Sequence, residues 1–339
     1  MRARRLRAGL KGWGGVGAMA AVCALALALV LLLPLTRPHD RPDGVPSGGG
    51  RTAHATQARA GDCKDGEAQN RSPAPSGAEG ETVRDIKERG YLSVGVDQNS
   101  YRWGYRNPNN SSGELEGFDI DLAHRIARDI LGDEDKIQFK AIPTNERIPA
   151  IRSGRVDMVV RTMTITCKRL GEVAFSAPYF LTGQQVLAPK TSTITGYDTS
   201  LAGRRICSAS GSTAHDRLAA DRASGRIPAS ADVSTTVPNQ LDCLVRLQLG
   251  EVDAVVTDGA LAASQAAQDP TVALKGDTFT KEYYGVAMNL RAEDLVRRVN
   301  RVLEDYRKDG GWKTSYDKWL SPTLGRDSES ATPPAASYR

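Results

Sequence analysis

From Val83 onward the apolar positions switch repeatedly between a period of two and a helical period. Residues 91–97 (YLSVGVD) read as a strand. Residues 119–131 follow with Ala123, Ile126, Ala127, Ile130 and Leu131 at helical spacing. Residues 137–142 predict a strand, 147–152 a short helix and 156–160 another strand. The pattern resumes with a strand over 204–208, helices over 213–222 and 239–249, and a strand over 252–256. Strands alternating with helices imply parallel sheets covered on both faces, an α/β class.

One segment nearly repeats. AIRSGRVDMVV (150–160) returns as RLQLGEVDAVV (246–256), each with a glycine, Gly154 or Gly250, where a helix should stop. Each then continues Val-Asp into an apolar strand. Two generic helix–strand units would give this. So would two lobes built on one plan, and on that plan the groups past each strand end face a common cleft. Those groups are Asp97; Arg161, Thr162, Thr164 and Arg169; Ser212 and Thr213; and Asp258.

Upstream the pattern is different. Residues 1–15 form a basic stub and residues 16–35 an apolar run long enough to cross a bilayer. Positive charge before the run keeps the N-terminus cytoplasmic and exports the rest. No small-x-small cleavage site follows closely, so an uncleaved membrane anchor is favoured over a processed signal. Lipid attachment at Cys23 is disfavoured by bulky Val22. Residues 36–80, in which Val45 is the sole large aliphatic side chain, read as a disordered tether. Residues 326–339 read as a disordered tail.

Charge narrows the partners. Lys and Arg total 45 against 40 acids, and five of those cations sit in the first eleven residues, so the remainder is balanced. A neutral body argues against nucleic acid. Cysteine spacing fits no zinc site, and neither metal nor cofactor is expected. Outside Cys23 there are four cysteines, which an oxidising exterior would pair. The expected bridges are Cys207–Cys243 and Cys63–Cys167, with buried free thiols as the alternative.

The cleft residues suggest a zwitterion. Helix-terminal N–H groups at Ser212 and Thr213 suit an anion, as does the planar fork of Arg169. Asp258 suits an ammonium, with the Thr162 carbonyl and Thr164 hydroxyl completing its shell. Taken singly, Asp258 could instead cap the helix over 259–267, and Arg169 could be a solvated surface charge. His124 and His215 lack an acid to orient them, and Ser208 and Ser210 lack a base, so catalysis is not expected.

GFDIDLAHRIA (117–127), NERIPAIRSGRVDMVVRTMTIT (145–166), FSAPYF (175–180) and DGGWKTSYDKWL (309–320) together resemble the family 3 extracellular solute-binding proteins. Within that family the likeness is to the glutamate/glutamine-binding components of ABC importers, of the actinobacterial type. The resemblance covers about residues 82–322. It implies a two-lobed periplasmic-binding-protein-like fold (type II), with lobe 1 over 81–184 and 285–325 and lobe 2 over 185–284. The crossing segments would lie near 182–186 and 283–286. It assigns Arg169 to the ligand α-carboxylate, with Thr164 and Thr213 beside it, Asp258 to the α-ammonium and Thr162 to a backbone carbonyl contact. Asp97 matches a side-chain contact of glutamine binders. Arg147 matches an arginine that reaches the distal carboxylate of acidic ligands, and Arg161 points to the same strand end. Pairing of Arg147 with Glu146 or Glu172 is the alternative. The sequence departs from the pattern at Thr257, where some glutamine binders carry a polar aromatic, and at Thr144, where some relatives carry a phenylalanine. Tyr101, Trp103 and Tyr105 would roof the pocket or pack in the core. The implied ligand is an acidic or amide amino acid, glutamate foremost. The implied partner is an ABC permease or a membrane sensor protein. An amino-acid dehydratase on the same fold is the least favoured reading.

Overall fold

The computed structural model describes residues 70–109, 111 and 113–339. The basic stub, the apolar run over 16–35, most of the tether and Cys63 lie outside these residues. Among the described residues no helix is long and apolar enough to cross a membrane.

Each lobe is a five-stranded sheet with helices packed on it. In the first, the order is Ile137–Ala141, Leu92–Val96, Met158–Val159, Ala287–Met288, Ala174–Phe175. In the second it is Asp232–Val237, Arg205–Ala209, Ala254–Asp258, Gln184–Pro189, Val272–Lys275. The sheets are mixed, which corrects the expectation of purely parallel ones. Four strands of each sheet run in one direction, but Ala287–Met288 and Gln184–Pro189 run antiparallel to both of their neighbours. Both follow directly from the strands that link the lobes. No crossover helix turns them round, so they meet the sheet in the opposite sense.

The near-repeat carries one interaction twice. Gly154 and Gly250 both sit at φ 70°, stopping their helices in the left-handed conformation. The Asp157 carboxylate then accepts the Ser93 N–H at 2.8 Å, and Asp253 accepts the Arg205 N–H at 2.8 Å. In both lobes this aspartate stitches the entering strand to its parallel neighbour.

Helix Phe118–Leu131 shows why the pattern was readable. Phe118, Leu122, Ile126 and Ile130 lie on one buried face, and Gly132 at φ 73° ends the helix. In lobe 2 the Cys207–Cys243 disulfide joins strand Arg205–Ala209 to helix Gln240–Gln248 within a buried apolar cluster.

The lobes are linked by strands Phe180–Thr182 and Glu282–Tyr284, paired antiparallel with Glu282 opposite Thr182 and Tyr284 opposite Phe180. Two expectations about the ends are corrected. Arg71–Ser72, placed in the tether, pairs in parallel with Ser337–Tyr338 of the tail. Ser72 is buried and bonds the Phe175 carbonyl, while buried Asn300 holds both the Ser72 hydroxyl and the Pro73 carbonyl. In the tail, Ala331 is buried and the Ser330 hydroxyl donates to the Leu181 carbonyl at 2.7 Å. Composition suggested disorder because large apolar side chains are scarce here. Backbone pairing and side-chain hydrogen bonds order these segments instead.

Candidate functional site

Residues 162–166 leave the strand Met158–Val159 and run beside the linking strand Glu282–Tyr284. Ile165 N–H donates to the Tyr283 carbonyl at 2.8 Å and Gly285 N–H to that of Met163 at 3.1 Å. Thr162 opens this run at φ 41°, a left-handed conformation unusual for a β-branched residue. It is held there because its N–H donates at 3.0 Å to the buried Asp119, whose other oxygen accepts the Tyr179 hydroxyl at 2.8 Å. Burial pushes the Asp119 carboxyl up to about 7.

Thr166 caps the short helix Cys167–Leu170, and that turn aims Arg169 back into the cleft. The Arg169 guanidinium donates to the Thr164 carbonyl at 2.7 Å and to the Gly211 carbonyl of the other lobe at 3.0 Å. Arg147, at the start of helix Arg147–Arg152, donates to the carbonyls of Thr144, Arg161 and Gly211 at 2.9, 3.3 and 3.3 Å. It pairs with neither Glu146 nor Glu172; those acids pair with Arg155 and Arg152. Burial first, then the charges of Arg169 and Arg161, disfavour the charge on Arg147. Among the described residues, neither Arg147 nor Arg169 has a carboxylate within 4 Å.

From lobe 2, Ser212 caps helix Thr213–Ala223 by accepting the His215 N–H at 3.1 Å. The N–H groups of Thr213 and Ala214 precede the first intrahelical donor, the Asp216 N–H, as at any helix start. Asp258 ends strand Ala254–Asp258 and stands at the N-cap position of helix Gly259–Gln268, yet its side chain makes no capping bond. Its carboxylate instead accepts the Tyr284 hydroxyl of the linking strand. Burial, then the nearby Glu282, pushes the Asp258 carboxyl up to about 7.

Seven of the nine predicted residues surround one small cavity: Arg147, Thr162, Thr164, Arg169, Ser212, Thr213 and Asp258. Ala214, Gln240 and Thr257 complete its wall. The first of these adds a helix-start N–H. Gln240 accepts the Thr144 hydroxyl across the lobes at 3.3 Å. The cavity measures about 10 Å³, room for one water. Arg147, Thr164, Arg169 and Thr213 also border a neighbouring cavity of about 750 Å³ that leads into the cleft.

Asp97 and Arg161 do not line the small cavity. They form a buried ion pair at 2.8 Å. Arg161 also donates to Thr144 Oγ1 and to Asn239 Oδ1 of the other lobe, and Asp97 accepts from Gln98, Asn99 and Ser100. The pair therefore stiffens the wall behind the pocket rather than facing it. Trp103 is fully buried against Phe118, Phe180 and Tyr284, and Tyr101 meets Tyr105 edge to face. None of these three aromatics borders the cavity.

Residues 92–322 match the model of the bacterial extracellular solute-binding proteins, family 3. The chain belongs to that family. It is 36% identical over 240 residues to the ABC transporter glutamine-binding protein of Bacillus subtilis, covering 71% of this chain and 85% of the relative. It is 28% identical over 261 residues to a glutamate-binding protein of Corynebacterium efficiens, covering 71% and 81%. Among solved structures it is similar to the solute receptor for L-cysteine of Neisseria gonorrhoeae, with a TM-score of 0.67 and 27% identity over 75% of this chain and 100% of that one. The family and this structural likeness establish the two-lobed α/β binding-protein fold.

Proposed function

We propose that this family 3 protein binds a free acidic or amide amino acid, glutamate foremost, by closing its lobes around it. One observation carries this reading. Buried Arg169 and Arg147, without a carboxylate partner, face buried Asp258 across the cleft. A zwitterion complements that pair of poles. Its carboxylate would exchange the carbonyl partners of Arg169 for a bidentate ionic bond. Thr164 and the helix start at Thr213 would add donors, and its ammonium would sit between Asp258 and the Thr162 carbonyl. A second carboxylate reaching Arg147 would relieve a buried charge that now meets only carbonyls. Hence glutamate stands ahead of aspartate, glutamine and asparagine. The relatives' names include both glutamine and glutamate, which supports the ligand class but leaves the choice to Arg147.

Release to an ABC permease at the extracytoplasmic face of the membrane, with residues 16–35 as the anchor, is part of this reading, supported by the family's extracellular type and by the apolar run in the sequence. The protein acts by binding, with no turnover of the ligand. Closure is driven because the bridging ligand has higher affinity for the closed state.

Calorimetry on the full chain with these four amino acids tests the reading. Wild type is expected to bind glutamate most tightly. Arg169→Ala and Asp258→Ala should each weaken binding by about thirty-fold or more, about 2 kcal/mol, as for a lost buried charge partner. Arg147→Ala should erase the preference for glutamate over glutamine. Absence of binding by wild type, or an unchanged preference in Arg147→Ala, overturns it.

A further inference from the structure

Glu282 is a carboxylate of the cleft that sequence reasoning passed over. It lies on the linking strand Glu282–Tyr284 and is only 6% exposed. One oxygen accepts from Gln184 Nε2 at 3.1 Å and from the Thr280 hydroxyl at 3.0 Å, both at the lobe junction. The other oxygen, Oε2, is buried without a well-formed hydrogen bond. Thr164 from one lobe and Thr213 from the other line the same cavity as this carboxylate. Glu282 is also the foremost acidic influence on buried Arg169, although the two make no ion pair. Thr164, Thr213 and Arg169 are the groups assigned above to the ligand's α-carboxylate. Glu282 borders the larger cavity, on the approach to them.

Resting on that functional reading, we infer that Glu282 is an internal carboxylate that competes with the α-carboxylate of the incoming amino acid for the Thr164, Thr213 and Arg169 clamp. With the lobes closed it presents a negative charge to the donors of both halves. An arriving ligand must share the donors of that clamp and the field of Arg169 with it. Glu282 therefore weakens binding of any α-carboxylate, so it sets affinity rather than supplying it.

The test replaces the charge and keeps the shape. Glu282→Gln in the full chain is titrated with glutamate and glutamine by calorimetry. The expected result is about tenfold tighter binding of both amino acids. Glu282→Asp keeps the charge but withdraws it by one methylene. It should bind about threefold tighter, and it carries the test if Glu282→Gln does not fold. Unchanged or weaker binding by a folded variant overturns the inference, since a second acceptor for the ammonium, or a merely structural carboxylate, would give that result. Failure of wild type to bind any amino acid would defeat the functional reading itself. Binding by wild type with no tightening in the variants defeats only the role given to Glu282.

Discussion

The Arg169 guanidinium donates at 3.0 Å to the carbonyl of Gly211, so the proposed anion clamp of one lobe is fastened to the helix start of the other. Gly211 makes that approach with φ 75°. A Cβ there would stand 2.8 Å from the Asn145 Cα, and backbone cannot yield as a flexible side chain could. Gly211→Ala is therefore expected to weaken amino-acid binding by about tenfold or more, through the strained conformation and the blocked approach. Calorimetry reads the affinity, and circular dichroism checks that both lobes remain folded. Wild-type affinity would show that ligand closure leaves a gap at this point.

Asp258 sets a pH dependence with a definite sign. Its carboxyl titrates at about 7, raised chiefly by burial, and only the ionised form accepts an ammonium. Below that pH the free protein holds a proton that binding must expel, so affinity falls by up to about tenfold per pH unit. Affinity should therefore rise from pH 5.5 to 8 and level off. The Tyr284 hydroxyl stabilises the ionised form. Tyr284→Phe should therefore move the midpoint of that rise upward. Calorimetric titrations across the range decide it, and a flat profile in both proteins would remove Asp258 from the ammonium site.

The disulfide between Cys207 and Cys243 closes a loop with a sequence separation of 36. Chain-entropy arguments give such a crosslink about 3–4 kcal/mol, provided the unfolded chain is otherwise free. Cys207→Ala/Cys243→Ala should lower unfolding stability by that order in urea. A loss under about 1 kcal/mol would show that the bridge constrains little.

Removing residues 326–339 tests the ordered tail. The deletion takes away the Ser330–Leu181 bond, the burial of Ala331 and the strand paired with Arg71–Ser72. At about 1 kcal/mol for each net hydrogen bond lost, a decrease of roughly 2–3 kcal/mol is expected in chemical unfolding. An unchanged midpoint would mean that these contacts do not outlast thermal motion in solution.

What was legible in the sequence was local. Helix Phe118–Leu131 shows its face at i, i+4 spacing, and Gly154 and Gly250 mark two helix ends whatever surrounds them. Arg169 and Asp258 were found because they follow apolar strands whose ends had to share a cleft. The pairing of Asp97 with Arg161 was not legible. It arises because Leu92–Val96 and Met158–Val159 are neighbours in the sheet, a relation that neither segment states by itself. The same pairing engages the two residues with each other, outside the lining of the small cavity. Glu282 was missed because the linking strand was read only as a crossing. Its importance lies in Thr164 and Thr213, which come to it from different lobes. The tail escaped because a motif of backbone pairing with one small buried side chain leaves no mark in hydropathy.

The parallel pairing of Arg71–Ser72 with Ser337–Tyr338 places both ends of the described body side by side on the first half of the molecule. A bead, a surface or a fused domain attached at either end therefore grips the same half. The other half then carries no added load, so single-molecule recordings that test the proposed closure need only one handle there.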